Sequence, residues 1–249
     1  MLPLDPGDRT RLRVQRAVSW LLAPLWAFVV TGLLRFGFGF RIEGVAAARA
    51  RYRTLRAEGG GPLLVCPNHL TLIDSALVAW ALGSPGWYVG HFSALPWNVP
   101  ERRNFASSWW SGALVYVLKC LPITRGGDRR EVAGVLARVA WLLERGDAVL
   151  LFPEAGRSRT GRIGVESAAW GVGRLVATVP GCRVLCVYLR GEGQRELSDL
   201  PRRGERFHVE VSLLEPKSDL AGLRRSMDLA RQIASRLAEM EQGFFDARR

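Results

Sequence analysis

The sequence predicts an α/β fold with a mixed central sheet flanked by helices, and three observations carry that reading. Short runs too apolar for a one-sided strand, LLVC and AVLLF among them, alternate with longer stretches of helical spacing. The 249 residues suffice for one large domain with a sizeable core, and an apolar share of 48% excludes a disordered chain. Ahead of this alternation, Ala17 to Leu34 runs without a single charge.

Taken in order, that first stretch predicts an N-terminal apolar membrane-associated helix or helical hairpin over residues 1–40, followed by a second unit over 41–249. As a helix, Ala17 to Leu34 spans roughly 27 Å, close to the ~30 Å hydrocarbon core of a bilayer. Arg16 and Arg35 frame it, Pro24 predicts a kink, and Trp20 and Trp26 are amphipathic ring anchors. A segment sunk in one leaflet and a full span both fit that length. Arg9, Arg11, Arg13 and Arg16 resemble the start of a secretory signal, but the apolar stretch exceeds a normal signal core and no small-x-small site closes it. The basic amino terminus, with Arg35, Arg41, Arg49 and Arg51 beyond the segment, predicts the cytoplasmic face of the membrane and favours shallow insertion.

After Phe40, RIEG reads as a short strand and Ala46 to Glu58 as a helix, closed by the turn GGGP. PLLVCPN predicts a buried strand, LIDSALVAWAL a helix opening near Leu72, and GWYVGH a second strand. SALPWNVPERRNFASSWW reads as an inserted loop or a membrane-facing lip. SGALVYVLKCL predicts a helix ending before Pro122, Ile123 to Arg125 a brief strand, and Glu131 to Arg145 an amphipathic helix closed by Gly146. Ala148 to Phe152 is apolar enough for a fully buried strand, RVLCVYL and FHVEVSLL are two more, and a basic amphipathic helix runs from about Leu220 to Glu241. Trp80 and Trp141 sit at helical positions that read as core.

The 35 Lys and Arg against 23 Asp and Glu leave a net charge of +12, which asks for an anionic partner. Zinc-finger, RNP and helix-turn-helix patterns are missing and the basic residues are dispersed, so nucleic acid is not the expected partner. An anionic membrane surface is. Cys66, Cys120, Cys182 and Cys186 are scattered, without a C-x-x-C pair, and read as buried thiols.

The chemistry centres on CPNHLTLIDS, Cys66 to Ser75, where an apolar run gives way to a polar turn. His69 and Asp74 are five positions apart, about 140° around a regular helix, so they meet only if the chain bends between them. A strand end, a short turn and a helix opening would set Asp74 in the first helical turn, where the macrodipole favours a carboxylate. Asp74 then holds one imidazole nitrogen and the other faces outward as a base. Asn68 and Thr71 can hold the turn. There is no G-x-S-x-G elbow and no hydroxyl or thiol clearly placed beside the pair; Thr71 and Ser75 are the candidates, Ser75 reads better as helix-opening polarity, and the substrate is expected to bring the hydroxyl. With His91 and His208 far off and no H-E-x-x-H or Cys–His cluster, no metal site is expected. Arg125 after PIT, and Glu154 and Arg157 after the strand that stops at Phe152, lie at strand ends, where α/β folds put ligands. An arginine fork suits a phosphate.

These residues fall in blocks that resemble the glycerolipid acyltransferases, especially the 1-acylglycerol-3-phosphate type: NHLTLID, LPITRGG with Arg125, and FPEAGRSRTG, in that order, over roughly Ile42 to Gly191. The resemblance implies catalysis by His69 and Asp74, and substrate binding by Arg125, Glu154, Gly156, Arg157 and Ser158. It implies a lysophospholipid acceptor and acyl-CoA or acyl-carrier protein as donor, with no metal or redox cofactor. Ala155 and Gly156 stand where the family usually has Gly-Thr, and Cys186 where it has a proline. Those departures keep open a different hydroxylated acceptor, such as a lyso-ornithine lipid.

Overall fold

The computed structural model describes residues 4–124, 126–154, 156–158, 160–198 and 200–248, the side chain of Ser167 excepted. Six strands form one sheet: β1 (Arg41–Glu43), β2 (Leu63–Pro67), β3 (Trp97–Asn98), β4 (Val149–Leu150), β5 (Arg183–Gly191) and β6 (Arg206–Leu214), in the spatial order β1-β6-β5-β2-β4-β3. Every neighbouring pair is parallel except β5 with β6, so the predicted mixed α/β sheet is the observed one. The nine α-helices among the described residues are α1 (Pro6–Gly32), α2 (Val45–Ala57), α3 (Asp74–Leu82), α4 (Pro85–Gly90), α5 (Arg102–Phe105), α6 (Trp109–Val117), α7 (Arg129–Glu144), α8 (Trp170–Thr178) and α9 (Gly222–Asp246).

Period-2 alternation sorts the core into two layers. Leu64 and Cys66 of β2, with Val184, Cys186 and Tyr188 of β5, pack against α7, α8 and α9. Leu63 and Val65, with Leu185, Val187 and Leu189, pack on the opposite face against α2, α3 and α4. Because both faces are covered, β2 and the stretch 184–189 of β5 are apolar at successive positions, which is why they read as unbroken runs. All four cysteines are free and buried. At the crossing of α8 and α9 only a glycine fits: a Cβ on Gly173 would lie 1.8 Å from the Ser226 carbonyl oxygen.

Helix α1 continues through a π-helical turn to Gly37 and is long and apolar enough to cross a bilayer, a property weakly compatible with membrane association. One flank is committed to the protein. Leu12, Gln15, Ser19, Ala23 and Ala27 are buried at helical spacing, and Gln15 Nε2 donates to the Tyr116 and Cys120 carbonyls at 3.1 and 2.8 Å. Trp26 turns inward, its indole N–H bonded to the Ser19 carbonyl, whereas Trp20, Leu21, Leu25, Phe28, Val29 and Phe36 remain exposed. Of the two expected ring anchors, only Trp20 faces outward.

Several local expectations are corrected. GWYVGH is not a strand: Ser84 caps α4 by accepting from the Trp87 N–H, and Pro85 stands at the first helical position, where its missing N–H costs nothing. The stretch after His91 is not one open loop, since it contains β3 and buries Trp97 completely. Helix α3 opens at Asp74 rather than near Leu72. Ile123 makes a single bridge with Glu101 instead of a strand, and Arg125 lies outside the described residues. Helix α8 had no counterpart in the sequence reading. Trp80 and Trp141 are partly buried against the two core layers.

Candidate active site

The site forms where β2 ends and the chain turns before α3. Asn68 prolongs the β2–β5 ladder with its side chain: its amide oxygen accepts from the Leu189 N–H at 2.7 Å and its amide nitrogen donates to the Leu189 carbonyl at 3.0 Å. That fixes the strand end, and the next residue is His69. Within the turn, one carboxylate gathers the backbone. Asp74 Oδ2 accepts from the Leu70 and Thr71 N–H groups at 2.6 and 2.8 Å and lies 3.0 Å from His69 Nδ1, while the Thr71 hydroxyl donates to Oδ1 at 2.5 Å. The expected bend is therefore real. It brings the two residues together, and Asp74, at the first position of α3, is buried together with Thr71.

An ionised carboxylate only accepts, so the contact assigns the His69 proton to Nδ1 and leaves the lone pair on Nε2. Nε2 makes no hydrogen bond with any described residue. Phe152 stacks on the ring with centroids 3.9 Å apart and planes 18° apart, fixing the ring plane and covering one of its faces. The stacking was missed in the sequence, although Phe152 sits in the quoted third block.

The loop after β4 clamps the histidine backbone from both sides. Glu154 Oε1 accepts from the His69 N–H at 3.1 Å, and the Ser158 N–H donates to the His69 carbonyl at 3.0 Å. Arg157 Nη1 donates to the Ser198 carbonyl at 3.1 Å, and the Ser158 hydroxyl to that of Arg162. Of the five expected substrate-binding residues, Glu154 and Ser158 are thus brought directly against His69, Gly156 and Arg157 lie on the same loop, and Arg125 is outside the described residues. Arg190, buried at the end of β5, ties this loop down through the Gly161 carbonyl at 2.5 Å, the Gln194 carbonyl and Glu241 of α9. Gly161 has φ +65°, and a Cβ there would meet the Arg195 carbonyl oxygen at 2.2 Å, so glycine is required.

Burial pushes the Glu154 carboxyl up to about 7, against the stabilising bond from the His69 N–H. A carboxyl raised above its unfolded value contributes stability that is complete below about pH 4.5 and lost as pH rises through 7. Glu154→Gln keeps an oxygen for the His69 N–H and removes the charge. The variant is expected to melt higher than the wild type at pH 8 and to lack the decline between pH 4.5 and 7, which reaches about 1.4 kcal/mol per pH unit for one proton. Thermal denaturation across that range checks it; parallel curves for the two proteins would refute the assignment.

Beside the site lies an apolar slot of about 140 Å³, lined by Trp26, Ala27 and Val30 of α1, Ser75, Ala76 and Ala79 of α3, and Asn98. Asn98 Nδ2 donates to the Ser75 hydroxyl at 3.0 Å, so Ser75 is engaged in tying α3 to β3.

An α/β sheet that delivers a carboxylate-steered histidine at its strand ends defines a candidate general-base enzyme. Residues 44–190 match the acyltransferase family, and the chain belongs to it. No curated protein matches the chain.

Proposed function

We propose that the protein is a membrane-associated O-acyltransferase that moves a fatty acyl chain from acyl-CoA or acyl-carrier protein to the free hydroxyl of a lysophospholipid, with 1-acylglycerol-3-phosphate, giving phosphatidic acid, as its reference acceptor. The observation that carries this reading is the His69 Nδ1 to Asp74 contact, which leaves Nε2 without a hydrogen-bond partner among the described residues. Nε2 removes the proton from the acceptor hydroxyl as its oxygen attacks the thioester carbonyl. The bond to sulfur then breaks, and the thiolate takes the proton back from the imidazolium that Asp74 stabilises. No acyl-enzyme is formed.

Leu70 and Thr71 give their N–H groups to Asp74, so the oxyanion falls to the first turn of α3, which has no side-chain cap. The apolar slot between α1 and α3 receives the acyl chain beside that turn. Arg157, with Arg125, binds the acceptor phosphate, and Glu154 and Ser158 order the loop.

Membrane placement follows from substrates that water does not hold. The outer flank of α1, with Trp109, Trp110 and Leu114 of the adjoining α6 exposed, sinks into one leaflet while the inner flank stays on the domain at the cytoplasmic face. The basic excess favours an anionic leaflet.

Purified protein in detergent, given labelled acyl-CoA or acyl-carrier protein and a panel of lysolipids, is expected to form a diacyl product from a phosphate-bearing acceptor. Failure to acylate any lysolipid from either donor would remove the proposal.

A further inference from the structure

We propose that the cavity beside the His69 turn holds the polar head of the acceptor, and that this head is zwitterionic, an ammonium together with an oxygen acceptor; the proposal rests on the acyl-transfer reading and names the acceptor class for the same site. The cavity, of about 550 Å³, is formed by the loop between β5 and β6, which supplies Glu192, Gln194, Arg195, Glu196, Arg202 and Glu205 to its walls. Its volume is in the range of small-molecule sites.

Two backbone contacts join the cavity to the reaction centre. The Ser198 N–H donates to the Leu70 carbonyl at 3.2 Å, one residue beyond His69, and the Ser198 carbonyl accepts from Arg157 at 3.1 Å. Ser198 itself lines the cavity. A lipid whose phosphate meets Arg157 therefore has its head group directed along this wall.

Charge and hydrogen-bond accounting define what fits. In a chain of net charge +12, three carboxylates and two guanidiniums line this cavity among the described residues, a local inversion of sign. Glu205 is 8% exposed, and its hydrogen bond comes from the Gly193 N–H at 2.8 Å; no ion pair involves it among the described residues. A buried carboxylate left without a cation is costly, and a ligand ammonium supplies one. Gln194, also 8% exposed, gives its amide oxygen to the Gly191 N–H, but its Nε2 has no partner. That donor asks for an oxygen on the same ligand. A bare phosphate meets only the second demand and is repelled by the carboxylates; an aminoalkyl phosphate meets both.

The test compares lysophosphatidylethanolamine with lysophosphatidic acid in one detergent, by binding and by acyl transfer, on wild type and on Glu205→Gln. The substitution retains an oxygen for the Gly193 N–H and removes the charge. Wild type is expected to bind the amine-bearing lipid about tenfold more tightly, as one desolvated charged contact implies. The variant should lose that ratio, with the loss in KM and little in kcat. Equal affinities in wild type, or an unchanged ratio in the variant, would overturn the proposal. Should the variant fail to fold, the wild-type comparison and Glu192→Gln at the cavity rim decide it. Because binding is read without turnover, a protein that prefers the amine-bearing lipid yet acylates neither sinks the acyl-transfer reading and leaves the cavity assignment standing.

Discussion

His69→Ala is expected to lower acyl transfer by about a hundred- to ten-thousand-fold, because in the proposed mechanism it removes the base that takes the acceptor proton. The comparison with Asp74 separates chemistry from architecture. Asp74 collects the His69 imidazole, two backbone N–H groups and the Thr71 hydroxyl in a buried turn. In Asp74→Ala those buried donors lose their acceptor, at about 1–3 kcal/mol each, so both stability and rate fall. Asp74→Asn retains an oxygen toward the N–H groups, and its amide nitrogen can donate to the Thr71 oxygen. It therefore keeps most of the stability but loses the charge that steadies the imidazolium. Single-turnover assays beside chemical denaturation give the ordering: His69→Ala loses rate with modest instability, Asp74→Asn mainly rate, Asp74→Ala both. A His69→Ala protein that turns over as fast as wild type would remove the mechanism.

Lys119→Met is expected to cost about 3–5 kcal/mol, the usual penalty for breaking a buried charge pair. Lys119 is fully buried with its backbone in the left-handed region at φ 61°, rare for a residue other than glycine. Its ammonium group donates to the Phe92 and Leu95 carbonyls at 2.8 and 2.7 Å and to Asp147 at 3.2 Å, over the ring of Phe92. Arg16 of α1 reaches the same carboxylate at 3.4 Å, so this cluster joins the amino-terminal helix, the segment before β3 and the approach to β4. Burial lowers the Lys119 ammonium to about 7, partly offset by Asp147. Above pH 7 the unfolded chain then binds more protons than the native one, so stability relative to Lys119→Met rises with pH toward 10 and falls as pH drops to 7. Urea denaturation at pH 7 and 9 measures both effects. A cost below about 1 kcal/mol would show that water reaches the pair.

The two features that the sequence displayed most openly, the apolar central strands and the His69–Asp74 spacing, are local in character. Val184 to Leu189 must be apolar on both faces because helices cover both, and that requirement is written residue by residue. The dyad was legible because a five-residue separation forbids a continuous helix between its members. Helix α4 was misread for want of weight on its cap: Ser84 and Pro85 announce a helix start, but the apolar residues that follow fit either period over so short a run. Helix α8 escaped notice because Gly171 and Gly173, the second of them needed for close approach to α9, look like turn residues in isolation.

The sequence by itself determined the fold class, the strand that delivers His69 and the carboxylate that steers it, since each follows from patterns within a few residues. Only the tertiary structure decided that Glu154 and Ser158 grip the His69 backbone, that Phe152 covers its ring, that one flank of α1 is committed to the domain, and that Glu205 and Gln194 share a cavity beside the turn. The contacts made to the His69 turn join residues roughly 80 to 130 positions apart. Separations of that size leave no periodic trace in the chain and arise only when the sheet order brings distant strand ends together.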